Sequence, residues 1–172
     1  MAEEVARELG GTWVLERSEN VIEYLTELGV GACERKSFAD DTATQTIDVT
    51  DDVIHLEMKY GKRHIKMDFK LGEEFIINAG KPSKARASWT NGALVITVRR
   101  VGCGRQQQIE RKRNGDKLIQ MALDFTAGSL VTYMKIKSTS LNTDANCHSE
   151  KLSEDKPLPN TGPATCIPVK FL

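Results

Sequence analysis

The sequence has little that would carry it into a membrane, bind it to nucleic acid or staple it covalently. No apolar run approaches the ~20 residues of a membrane-spanning helix. The opening MAEEVARELGG is acidic and lacks the apolar stretch of an export signal, and no asparagine begins an N-x-Ser/Thr site, so a cytoplasmic protein is expected. Neither charge sign dominates: Lys+Arg and Asp+Glu are 24 each, which removes the bulk positive charge that non-specific nucleic-acid binding needs. The cysteines, Cys33, Cys103, Cys147 and Cys166, show no CxxC spacing, and His55, His64 and His148 are scattered, so no zinc site is expected. Four reduced thiols are the simplest reading, with disulfides as the alternative. There is no Ser/His/Asp grouping, metal cluster or phosphate loop, and therefore no sign of an enzyme or of a cofactor.

Proline is almost absent from most of the chain. Four of the five prolines lie in residues 138–172, which carry one aromatic, Phe171, and no sustained hydrophobic period. Such a segment buries too little apolar surface to offset the entropy of ordering. We divide the chain into a folded body, 1–137, and a disordered C-terminal extension, 138–172. Leu158-Pro159-Asn160-Thr161-Gly162 matches the LPxTG pattern of sortase substrates, but no apolar span and basic end follow it, and we read the match as coincidence.

What is present in the body is alternation. Runs at 42–50, 53–58, 64–71, 75–77, 85–90, 94–99, 105–113, 117–124 and 130–137 read as strands, separated by Asp51-Asp52, Gly61-Lys62, Gly80-Lys81-Pro82, Asn91-Gly92, Gly102/Gly104 and Asn114-Gly115. Turns recurring every ~8–12 residues predict an antiparallel sandwich or barrel, and connections this short exclude the crossover helices of a parallel sheet. Helix is expected only near the front. Gly11 to Arg17 reads as a first strand, Ser18 as an N-cap, and Val21, Tyr24, Leu25 and Leu28 as one helical face ended by Gly29; residues 30–36 suit a second short helix.

That order resembles the intracellular fatty-acid-binding protein family. The residues that carry the resemblance are Gly11-Thr12-Trp13-Val14-Leu15 with Ser18-Glu19-Asn20, Leu28-Gly29-Val30-Gly31 with Arg35, Phe69-Lys70-Leu71-Gly72-Glu73-Glu74-Phe75, and Asn114-Gly115-Asp116-Lys117-Leu118. The resemblance implies an all-β fold, a ten-stranded antiparallel up-and-down β-clam capped by two helices, that holds a lipid inside.

It also implies a site. Many members anchor the lipid carboxylate with two arginines and a tyrosine from the last strands. The matching positions here are Arg111, Val131 in place of the second arginine, and Tyr133. Alternation puts Ile109 with Arg111 on one strand face, and Val131 with Tyr133 on another. Tyr24, Leu25, Val98, Ile109 and Gln120 complete the expected lining; Val21 replaces a usual aromatic, and Lys62 a usual portal phenylalanine. On 117–124 this register sends the apolar Ile119, Met121 and Leu123 outward. Arg35, Lys36, Lys62 and Arg63 form a basic cluster suited to transient contact with anionic membranes. The expected function is non-covalent binding and transport of a long-chain fatty acid or related carboxylate by a monomer. A retinoid or bile-acid carrier, or a barrel with impaired lipid binding whose tail makes protein contacts, are the alternatives.

Overall fold

The computed structural model describes residues 1–27, 29–33, 35–36, 42–61, 63–78, 82–102, 104–124 and 128–136. The extension 138–172 lies outside them, as do Leu28, Lys62 and Cys103.

Among the described residues the ordered elements are α1 (Ala2–Leu9), β1 (Gly11–Glu19), α2 (Val21–Glu27), β2 (Ala43–Thr50), β3 (Val53–Tyr60), β4 (Arg63–Phe69), β5 (Glu74–Ile77), β6 (Ser83–Thr90), β7 (Ala93–Arg100), β8 (Gln106–Asn114), β9 (Lys117–Asp124) and β10 (Gly128–Ile136). The spatial order is β4-β3-β2-β1-β10-β9-β8-β7-β6-β5. Every sequential pair is antiparallel except β4 and β5, the two edges, and β1 joins β10 to carry the sheet around. The result is a nearly closed ten-stranded barrel. Across its seam the Phe69 and Phe75 rings stack with centroids 4.6 Å apart.

Turn chemistry sets the register. Asn91 (φ 53°) and Gly92 (φ 73°) are both left-handed, the geometry that matches the twist of a two-residue hairpin. Asp51 and Asp52 do the same at φ 51° and 64°, tolerated because short polar side chains can enter that region. From these turns the pleat sends alternate residues inward: Ile54, Leu56 and Met58 on β3, Ala85 and Ala87 on β6, Leu94, Ile96 and Val98 on β7. On β9 the buried set is Leu118, Gln120, Ala122 and Asp124, while Met121 is 39% exposed. The expected register of that strand therefore holds, even though it places apolar side chains outside.

Two expectations at the front need correction. The chain opens with a helix where sequence reading placed no element. α1 carries Glu3 and Glu4 in its first turn and Arg7 in its last, matching the helix dipole, and buries Ala2, Val5 and Leu9. It packs on β2 and β8. The indole of Trp13 donates to the Leu9 carbonyl at 2.8 Å, which ties the helix end to the barrel floor. The second correction concerns Ser18. β1 runs on through Glu19, and the turn into α2 is made by left-handed Asn20 (φ 61°), whose carbonyl accepts from the Tyr24 amide at 3.0 Å. Gly29 (φ 75°) ends α2 as expected, and residues 32–33 and 35–36 are helical.

Candidate functional site

The site is built around one buried cation. β8 alternates outward and inward, and its inward set is Gln107, Ile109 and Arg111. Arg111 is 1% exposed. In register it stands between Leu94 of β7 and Gln120 of β9. Its Nε donates to Gln45 Oε1 at 2.9 Å, and its Nη2 donates to Met58 Sδ at 3.4 Å. Nη1 is buried and has no hydrogen-bond partner among the described residues.

Those contacts leave the guanidinium underserved. Thioether sulfur is a weak acceptor. The Tyr60 hydroxyl also donates to Met58 Sδ, at 3.2 Å, and the Gln45 amide donates to Met134 Sδ at 4.0 Å. No carboxylate pairs with Arg111 among the described residues. Burial accordingly pushes its pKa down, to about 10, still charged at neutral pH. Burial also pushes the Tyr60 phenol up, although the guanidinium nearby opposes this. A carboxylate approaching Nη1 and Nη2 together would supply the two acceptors that the cluster lacks, in the paired geometry guanidinium favours.

Most of the expected lining is interior, with Gln120 beside Arg111 and Tyr24 at the α2 end of the barrel. Val98, Ile109, Gln120, Tyr24 and Leu25 are all buried, the last two from α2. The Tyr24 hydroxyl accepts from Gln107 Nε2 at 2.6 Å, and burial pushes its pKa up to about 12.

Val131 and Tyr133 are not brought into the site. Their cross-strand partners are Met121 and Ile119, both on the outer face of β9, and opposed residues share a face. The inward positions of β10 are instead Thr132, opposite Gln120, and Met134, which is buried. The expected parity was thus one residue out on this strand. The inward placement came from the family's spacing, whereas the strand's own pattern points the other way: Lys135, exposed, shares the parity of Val131 and Tyr133. Gln45, Met58 and Tyr60 were missed by sequence reading. Gln45 had a signal: it is the polar member of the inward trio Ala43, Gln45 and Ile47.

The basic cluster is only partly free. Arg35 Nη1 donates to the Val30 carbonyl at 2.6 Å, Lys36 is exposed, and Arg63, also exposed, makes an interaction of its own. Lys62 lies outside the described residues.

No protein-family model matches the chain. Curated relatives do. The chain is 31% identical over 140 residues to human fatty acid-binding protein 12, covering 78% of this chain and 96% of the relative. It is 31% identical over 118 residues to fatty acid-binding protein homolog 6 of Caenorhabditis elegans, covering 67% and 87%. Among solved structures, apo lipid binding protein 8 of C. elegans superposes with a TM-score of 0.70 at 22% identity, over 76% of this chain and 96% of that one. A Schistosoma mansoni fatty acid binding protein in complex with arachidonic acid gives a TM-score of 0.67 at 23% identity, over 75% and 96%. Identity and coverage of the human relative, with a barrel of the same construction, establish that this chain is a lipid-binding protein of the fatty-acid-binding protein family, a family of carriers and not of enzymes.

Proposed function

We propose that this protein binds a long-chain fatty acid inside the barrel, with the carboxylate on Arg111, and carries it between membranes in the cytoplasm. The observation that carries the reading is the Arg111 guanidinium, buried among Gln45, Met58 and Tyr60 with Nη1 unpartnered. A buried cation lacking a partner is costly, and the cost is recovered when an anion arrives. The inward faces of β6, β7 and β9 offer Ala85, Ala87, Ile96, Val98 and Ala122 to the acyl chain. Burying that chain contributes up to ~0.8 kcal/mol per CH₂ and supplies most of the gross affinity, so the arginine chiefly selects for the acid. The names of the relatives and the arachidonic acid complex of the Schistosoma protein support a fatty acid over a retinoid or bile acid.

Lys36 and Arg63, exposed, with Arg35 and Lys62, would meet anionic headgroups during transfer. The carrier works as a monomer. Native mass spectrometry of gently purified protein, followed by calorimetric titration with hexadecanoic acid and hexadecanol, tests the reading. A co-purifying fatty acid and a preference for the acid are expected. An empty barrel that takes up neither, or binds both equally, would sink it.

A further inference from the structure

At the α2 end of the barrel the inward face carries charge that the Arg111 site does not use. Arg100, the last residue of β7, continues the inward row Leu94, Ile96 and Val98 and is 6% exposed. Its register partner on β6, Ser83, is fully buried. Arg100 Nη1 is buried and has no hydrogen-bond partner among the described residues. Close by, Arg105 Nε meets Asp124 Oδ2 at 3.2 Å, with the Asp124 side chain 3% exposed. Gln107, opposite Asp124 in register, links this cluster to Tyr24. Asp124 pairs with Arg105 and also attracts Arg100, yet the Arg100 Nη1 remains buried without an acceptor among the described residues. Burial pushes the Arg100 pKa down, as for a cation short of acceptors.

We propose that this cluster is a second carboxylate site within the same barrel, and that the chain takes a long-chain α,ω-dicarboxylic acid with one carboxylate on Arg111 and the other on Arg100. The proposal rests on the reading of Arg111 given above. Arg111 stands opposite Leu94, and Arg100 lies further along β7 on the same face. At ~3.3 Å per residue the backbone level of Arg111, opposite Leu94, and that of Arg100 are about 20 Å apart along β7, the span of a long acyl chain. Between them the inward faces are apolar: Ile96, Val98, Ala85, Ala87, Ile109 and Ala122. An ordinary fatty acid held at Arg111 would set its methyl end against Arg100 and leave Nη1 without an acceptor. A second carboxylate supplies the acceptor.

Calorimetric titration of the full chain with hexadecanoic, ω-hydroxyhexadecanoic and hexadecanedioic acids at neutral pH tests this. In a barrel whose far end is merely apolar, the diacid binds more weakly than the monoacid, because a second carboxylate must be stripped of water. We expect the reverse: the diacid binds roughly tenfold more tightly, the scale of one charge-assisted hydrogen bond. We expect Arg100→Met to invert that ratio. A diacid weaker than the monoacid in the wild type overturns the proposal, and so does an ω-hydroxy acid that matches the diacid. A monoacid that fails to bind at all overturns the Arg111 reading instead. Should Arg100→Met not fold, NMR of wild-type protein with diacid labelled at both carboxyl carbons decides the matter. Two carboxylates that both stay ionised through the range where free carboxyls titrate are expected, and one that titrates normally overturns the second site.

Discussion

The Arg17 guanidinium lies 3.6 Å from the centroid of the Tyr133 ring, on the outside of the barrel. This cation–π contact joins β1 to β10 just beyond the register shift between Leu15 and Arg17. It identifies Tyr133 as part of the barrel's closure. Tyr133→Leu should therefore lower stability slightly, because the pair lies in solvent. Fatty-acid affinity should stay within twofold. Chemical denaturation and calorimetry on the same variant check both halves, and a large loss of affinity would return Tyr133 to the interior.

Arg111→Met should weaken hexadecanoic acid binding by about 1–3 kcal/mol, the scale of a charged hydrogen bond, while barely changing hexadecanol binding. The ligand-free protein should not lose stability, because the substitution removes a buried charge that lacks a full set of partners. Parallel titrations and a thermal scan are sufficient. Equal losses for acid and alcohol would remove Arg111 from carboxylate recognition.

The register of β10 makes a paired prediction. Thr132 faces inward opposite Gln120, and Val131 faces outward opposite Met121. Thr132→Arg should add a second cation to the interior, lower apo stability and tighten fatty-acid binding, whereas Val131→Arg should do neither. Thermal shift with and without hexadecanoic acid distinguishes them; the opposite pattern would mean that β10 is shifted by one residue.

Gly10 joins α1 to β1, and a Cβ there would lie 2.2 Å from the Ala6 carbonyl oxygen. Backbone on both sides leaves no side chain to move aside. Gly10→Ala should cost about 1–3 kcal/mol through forced backbone shift. Urea denaturation would measure it, and hydrogen exchange should show the loss spreading from α1. An unchanged midpoint would mean that α1 is not fixed to the barrel floor.

Tyr24 gives the alkaline limb of stability. Its folded pKa is raised from 10.0 to about 12 by burial, so the unfolded chain loses the proton first. The native state then holds more protons than the unfolded one, and stability falls as pH rises from 10.0 to about 12. Tyr24→Phe should flatten that decline, read from urea midpoints across the alkaline range.

Much of this fold is legible in the sequence because strands with one wet face advertise it. β3, β4 and β7 alternate cleanly, and Asn91-Gly92 fixes its hairpin without help from tertiary contacts. Arg111 was placed by the family's spacing, and its parity with the inward Ile109 agrees with that placement. Legibility fails on β10, where the family's spacing was followed against the strand's own alternation. It fails again where a short helix is stabilised only by what it packs against. Val5 and Leu9 supply too little pattern in Ala2–Leu9 to announce α1, and its stability comes from β2, β8 and the Trp13 indole. The partners of Arg111 arrive from β2 and β3, more than fifty residues away in sequence, and no local pattern pairs Gln45 with Arg111.

The stacked Phe69 and Phe75 rings span the one place where adjacent strands of the barrel do not exchange backbone hydrogen bonds among the described residues. A sheet interrupted there has two raw edges, and raw edges recruit strands from other molecules. Here the edges belong to consecutive strands and face each other, so each hides the other from a foreign chain. The same arrangement makes the seam the cheapest line along which the wall can part: widening it breaks an aromatic contact and no strand ladder, with the Gly72 amide's bond to the Ala87 carbonyl anchoring one end. Protection against aggregation and the capacity to breathe thus come from a single pair of side chains.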